Sequence, residues 1–140
     1  MSDQLPIIIV VLPGVVSFFI FLSSWWAKRM GYPCAVGALI LCFLLSIGTM
    51  KKVFDEGAIH YWLGGWEPPW GIEYYVDHFS AVMLVLVSLI SMLVAVFSKR
   101  LVERELVQKT ALFWSLFILM ITGLLGICIT GDLFNLFVLL

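Results

Sequence analysis

Four long apolar runs, each closed by a cluster of basic residues or opened by one, constrain this chain more than any other feature. A helix that crosses the hydrocarbon of a bilayer needs about 20 mostly apolar residues. The runs cover residues 5–27, closed by Lys28 and Arg29; 33–50, closed by Lys51 and Lys52; 78–98, closed by Lys99 and Arg100; and 110–130, opened by Lys109. Only 12% of the residues are charged and 63% are hydrophobic, where a soluble domain carries about 25% charged residues. The fold class expected is therefore all-α: a single polytopic transmembrane domain of four helices plus the start of a fifth.

The charge balance removes other classes. With Lys+Arg 8 against Asp+Glu 9, the net charge is -1, which gives no basic surface for nucleic acid and no polybasic tail for a membrane surface. Cys34, Cys42 and Cys128 all sit in apolar runs with no CxxC pair, so they read as small buried hydrophobes and not as metal ligands or a disulfide framework. The first run starts at Leu5 with no basic leader and no small-residue cleavage pattern; it reads as a retained span and not as a signal peptide.

Orientation follows from the bias of Lys and Arg toward the cytoplasm. The link between spans one and two carries Lys28 and Arg29, and the link between spans three and four carries Lys99, Arg100, Arg104 and Lys109. Parity puts both links on one side, taken as cytoplasmic, so the N-terminus is expected outside the cell membrane. The link 51–76 would then be an outer loop, and it holds Asp55, Glu56, Glu67 and Glu73, with Asp77 at its edge. Its Gly64-Gly65 and Pro68-Pro69 pairs set turns. Trp62, Trp66, Trp70, Tyr74 and Tyr75 read as an aromatic anchor at the water–lipid boundary.

Polar positions inside the spans matter because intramembrane ionisable residues mark ion paths, and the four spans contain none. Ser46, Ser88, Ser91 and Thr122 are expected to hydrogen-bond within or between helices. Gly123 and Gly126, near Ser115 and Thr122, make the fourth span the candidate for close helix packing, since small residues let backbones approach. Asp132 is a good N-cap for a fifth helix. The segment after it would be about 12 Å long at 1.5 Å per residue, too short to span. The expectation is that the protein is longer and continues past Leu140, or that a partner chain completes this helix. No nucleophile–base pair, metal cluster, phosphate loop or cofactor motif is present. The chain is therefore not expected to be an enzyme or to hold a cofactor or metal.

Two strings carry a resemblance. GGWEPPWGIEYYVDHFSAVM, from Gly64 to Met83, is similar to the loop and third-helix start of the antiporter-like membrane subunits, which read G-W-x-x-P-x-G-I and then D-x-L-S-A-x-M. GDLFNLFVLL, from Gly131 to Leu140, resembles the start of the fifth helix in the same family, especially the D-type subunit of the multisubunit Mrp sodium/proton antiporters. The proton-pumping subunits of membrane-bound hydrogenases and of respiratory complex I share the pattern more loosely. His78 after Asp77, Phe79 in place of Leu and Trp70 after the double proline are mild departures.

The resemblance implies lead-in helices followed by inverted helix repeats, of which this chain would hold the N-terminal part. It implies a partner set of other membrane subunits, with H+ and Na+ moving through the parent protein. It also implies a proton-carrying glutamate just after Leu140, with lysines further on. Asp77, Asp132 and Asn135 match family positions; capping and packing are the roles expected of them, with a share in an outer hydrated vestibule as the alternative. Competing functions are the equivalent subunit of a hydrogenase or complex I-like NADH-quinone oxidoreductase, and a non-conducting scaffold. A four-helix multidrug exporter ranks last, because that class needs a buried acid in a span.

Overall fold

The computed structural model describes residues 5–23, 31–62, 73–106, 109–131 and 133–140. The elements are α1 (Leu5–Ser23), α2 (Gly31–Glu56), β1 (Ile59–Trp62), β2 (Glu73–Val76), α3 (His78–Glu105), α4 (Thr110–Ile129) and α5 (Leu133–Leu139). The first four helices are long and apolar enough to cross a membrane. Large side chains such as Phe18, Phe97 and Leu116 point outward from them, as they should when the surrounding solvent is hydrocarbon.

α1 and α4, at 19 and 20 residues, are each about 30 Å long and match a bilayer core. α2 and α3 are longer than the sequence reading of 33–50 and 78–98. α2 runs on through Lys51, Lys52, Asp55 and Glu56, and α3 through Arg100 to Glu105. Charge marks where the hydrocarbon ends, not where the helix must end. Lys52 and Glu56 pair across one turn at 3.7 Å, and Val102 stays buried, so both extensions remain supported. α2 ends at Gly57, whose φ of +92° is open to glycine at little cost. At the other end of the chain, residues 24–27 of the first expected span lie outside the described residues.

α4 is the central helix. Some 39% of its apolar window is buried, against 28% for α3, and it packs against α1, α2 and α3. Lipid tails are as apolar as leucine, so apolar burial alone gives these helices little reason to associate, and close approach with interhelical hydrogen bonds takes over. At Gly31 a Cβ would lie 3.1 Å from the Ala111 Cα, so α2 begins almost backbone to backbone with α4. Ser17 donates to the Ser115 carbonyl at 2.8 Å and Ser115 donates back to the Ser17 carbonyl at 2.9 Å. Pro13, buried in α1 four residues before this pair, is tolerated because neighbouring helices enclose the segment.

The hairpin replaces what the sequence reading took as an irregular outer loop over 51–76. β1 and β2 pair antiparallel, with Ile59 opposite Val76, His60 opposite Tyr75, Tyr61 opposite Tyr74 and Trp62 opposite Glu73. The period of two is visible in burial: Ile59, Tyr74 and Val76 are buried, while His60, Trp62 and Tyr75 are exposed. One face of the hairpin therefore closes the end of the bundle, with β2 touching α1, α3 and α4.

Candidate functional site

The polar side chains of the bundle fall at three levels. Within the membrane, Ser17 and Ser115 bond across α1 and α4, while five other hydroxyls turn back on their own helices. Ser46 donates to the Cys42 carbonyl at 2.8 Å, Thr49 to Leu45 at 3.0 Å, Ser88 to Leu84 at 2.8 Å, Ser91 to Val87 at 2.7 Å and Thr122 to Ile118 at 2.8 Å. Each of these hydroxyls commits its one donor to its own helix. Among the described residues no group of His, Cys, Asp or Glu could hold a metal ion, and the interior of the spans carries no ionisable carboxylate or amine. Cys42 is buried as expected, but Cys34 is exposed and Cys128 only half-buried. Both belong to a helix in lipid, where a small apolar residue need not face the core.

At the end opposite the hairpin, Trp114 is fully buried, edge-on to Tyr32 at 5.2 Å between ring centroids. The Lys99 ammonium lies 4.6 Å above the Tyr32 ring, a cation–π contact that ties the end of the α3 span to the start of α2. The indole Nε1 of Trp114 makes no hydrogen bond.

The hairpin end joins the most elements. Asp77 caps α3: its carboxylate accepts from the Ser80 amide at 2.7 Å. The Ser80 backbone amide and then the Ser80 side chain hold the Asp77 carboxyl below the usual carboxylate range, with a smaller contribution from His78. Asp77 thus stands at the N-cap position of α3. Tyr74, buried on β2, forms an antiparallel bridge with Thr130 just past α4. Asn135 on α5 is buried and donates from Nδ2 to the Thr130 Oγ1 at 3.0 Å. Burial pushes the Tyr74 phenol above its ordinary pKa, partly offset by a side-chain hydrogen bond with Asn135. Asp132 lies outside the described residues, as do Trp66 and Trp70. Tyr74, read from sequence as a lipid-boundary anchor, is instead a closing side chain of the bundle end.

α5 lies against α4 where the two glycines stand. A Cβ at Gly123 would be 3.1 Å from the Leu139 carbonyl oxygen, and one at Gly126 would be 2.8 Å from the Leu139 Cδ1. A side chain at Gly123 would press on the α5 backbone, whereas one at Gly126 would meet only the flexible tip of Leu139. Beside this seat runs an apolar groove of about 370 Å³ lined by Leu116, Leu119, Met120 and Leu124 of α4 and Leu139 and Leu140 at the end of α5.

The described arrangement superposes on parts of known proteins. A solved structure of the membrane-bound sulfane sulfur reductase, an archaeal respiratory membrane complex, superposes with a TM-score of 0.89 at 31% identity, over 97% of this chain and 28% of that one. The Mrp complex of a Dietzia species superposes with a TM-score of 0.81 at 25% identity, over 99% and 25%. The N-terminal family description of NADH-ubiquinone oxidoreductase (complex I) chain 5 matches residues 64–104. The chain belongs to the antiporter-like subunit family, matching its N-terminal part. The N subunit of the NADH-quinone oxidoreductase of Desulforudis audaxviator is 31% identical over all of this chain, and the D subunit of the Na(+)/H(+) antiporter of Alkalihalophilus pseudofirmus is 28% identical over 97% of it. The chain spans 28% and 27% of those relatives. Like other antiporter-like subunits it is a multi-pass membrane protein.

Sequence reasoning pointed to Asp77, Asn135, Gly123 and Gly126, and the fold brings Asn135 and the two glycines together through α5. It missed Tyr74 and Thr130 as a contact, and Ser17 as the partner of Ser115. The aromatic residues of IHYW and EYYV, which favour strands, were the available signal for the hairpin. Nothing in the sequence signals the Ser17–Ser115 pairing, which spans 98 residues.

Proposed function

We propose that this chain is the N-terminal portion of a cation/proton antiporter subunit of the Mrp D type, acting in a hetero-oligomeric membrane complex that exchanges Na+ for H+. The observation that carries this reading is the seating of α5. Helix α5 is laid on Gly123 and Gly126 through Leu139 and tied to Thr130 through Asn135, and it lies in the GDLFNLFVLL string, whose resemblance leans to the antiporter side. The Na(+)/H(+) antiporter D subunits of Alkalihalophilus pseudofirmus and Bacillus subtilis, matched over 97% and 96% of this chain, support it. The described spans supply lead-in and packing helices, and the groups that carry protons belong to other segments of the parent protein. The N-terminus and the hairpin face outward in this reading, and Arg100, Arg104 and Lys109 face the cytoplasm.

A second reading has a specific observation behind it. The 31% identity to the N subunit of an NADH-quinone oxidoreductase and the TM-score of 0.89 with a respiratory complex favour a parent whose ion movement is driven by redox chemistry in neighbouring subunits. Everted membrane vesicles bearing the parent complex separate the two. With a proton gradient imposed by an acid–base jump and no electron donor, added Na+ should collapse the gradient. Gradient formation that requires an electron donor, with no response to Na+, contradicts the antiporter reading and supports the redox-linked one.

A further inference from the structure

We infer that Tyr74, Thr130 and Asn135 form a latch by which the hairpin positions α5 on α4, making Tyr74 and Asn135 positioning residues for whatever α5 carries. Three separate elements converge here. The backbone of β2 bridges to Thr130 through Tyr74, and the Thr130 hydroxyl accepts from Asn135 at 3.0 Å. Tyr74 and Asn135 are both more than nine-tenths buried.

Phe137 and Val138 of α5 point away from the bundle. Among the described residues, α5 is attached by Asn135 of the latch and by Leu139 in the Gly123–Gly126 notch. The notch is shape-selective but apolar, and in lipid an apolar contact can be exchanged for an acyl chain at small cost. The buried amide of Asn135 has no such substitute, because leaving it unpaired away from water is costly. The polar latch therefore sets where α5 sits along α4, and a shift of the hairpin is transmitted to α5 through Thr130. The geometry stands alone; its bearing on ion movement rests on the antiporter reading above.

Cysteine pairs read the two halves of this statement separately. In the full chain reconstituted in lipid, with Cys34, Cys42 and Cys128 replaced by serine or alanine, Gly126→Cys with Leu139→Cys reports the seating of α5. Ser17→Cys with Ser115→Cys reports α1 against α4. Thr130→Val, nearly isosteric but without the hydroxyl acceptor, should lower mild-oxidation crosslinking of the first pair severalfold and leave the second unchanged. Thr130→Ser, which keeps the hydroxyl, should restore crosslinking. Unchanged α5 crosslinking in Thr130→Val would overturn the latch, and so would an equal loss at both pairs, which marks general destabilisation. In the parent complex, Thr130→Val should reduce ion exchange. Full exchange with an unseated α5 refutes the role in transport while leaving the antiporter assignment intact.

Discussion

Asp77 illustrates how one side chain at the membrane boundary does local work. Its carboxylate satisfies a free amide at the start of α3, and replacing such a cap with alanine costs about 1 kcal/mol. Asp77→Ala should therefore lower the unfolding midpoint of the detergent-solubilised chain by an amount that fits that loss. The carboxyl pKa is held down in the folded state, so its contribution is complete above the unfolded value of about 3.9 and disappears as the pH falls through the lower folded value. Stability of the wild-type chain should fall over this acid range more steeply than that of Asp77→Asn, measured by thermal melts from neutral pH downward. Equal pH dependence in the two chains would remove Asp77 as a contributor. Ser17 and Ser115 work differently. Each interhelical bond in a membrane is worth about 0.6 kcal/mol, so Ser17→Ala should cost little, whereas a bulky residue there should separate α1 from α4.

At the scale of elements, close approach decides the packing. Gly31 sits 3.1 Å from backbone of α4 measured from its ideal Cβ, and backbone cannot rotate aside as the tip of Leu139 can at Gly126. Gly31→Val should thus destabilise the bundle by about 1–3 kcal/mol, the usual range for overpacking. Gly126→Ala should be milder, because the leucine side chain can yield. Denaturant titration of the two variants checks the order, and a larger loss for Gly126→Ala would contradict it. The same elements show what could be read before the fold was known. The four spans were legible because twenty apolar residues in a row have few alternatives, and Gly123 and Gly126 were legible because small residues in a large-residue helix mark a contact. The extensions of α2 and α3 were not, since charge was taken as the end of the helix when it only marks the end of the hydrocarbon. The hairpin was hidden by the long Gly- and Pro-rich stretch between its strands, and the Tyr74–Thr130 bridge depends on a register that only the assembled bundle defines.

For the whole molecule, the proposal is of a bundle that positions α5 and leaves the proton-carrying groups to other segments of the parent protein. Among the described residues, the interior hydroxyls are satisfied by their own helices or by the Ser17–Ser115 pair, and the charges lie at the two ends. The proposed orientation has a direct check. Ala58 is exposed between α2 and β1, so Ala58→Cys in a chain lacking other cysteines should react with an impermeant thiol reagent added to intact cells. Reaction only after lysis would place the hairpin in the cytoplasm and reverse the topology.

The central proposal is that these helices seat α5 and that the ion path lies in other segments of the parent protein. Its most direct test is to reconstitute the chain in liposomes holding a pH-sensitive dye and to apply a sodium gradient. The account predicts proton flux indistinguishable from that of empty liposomes. Sodium-dependent proton flux clearly above that baseline would contradict it and place the path within the helices described.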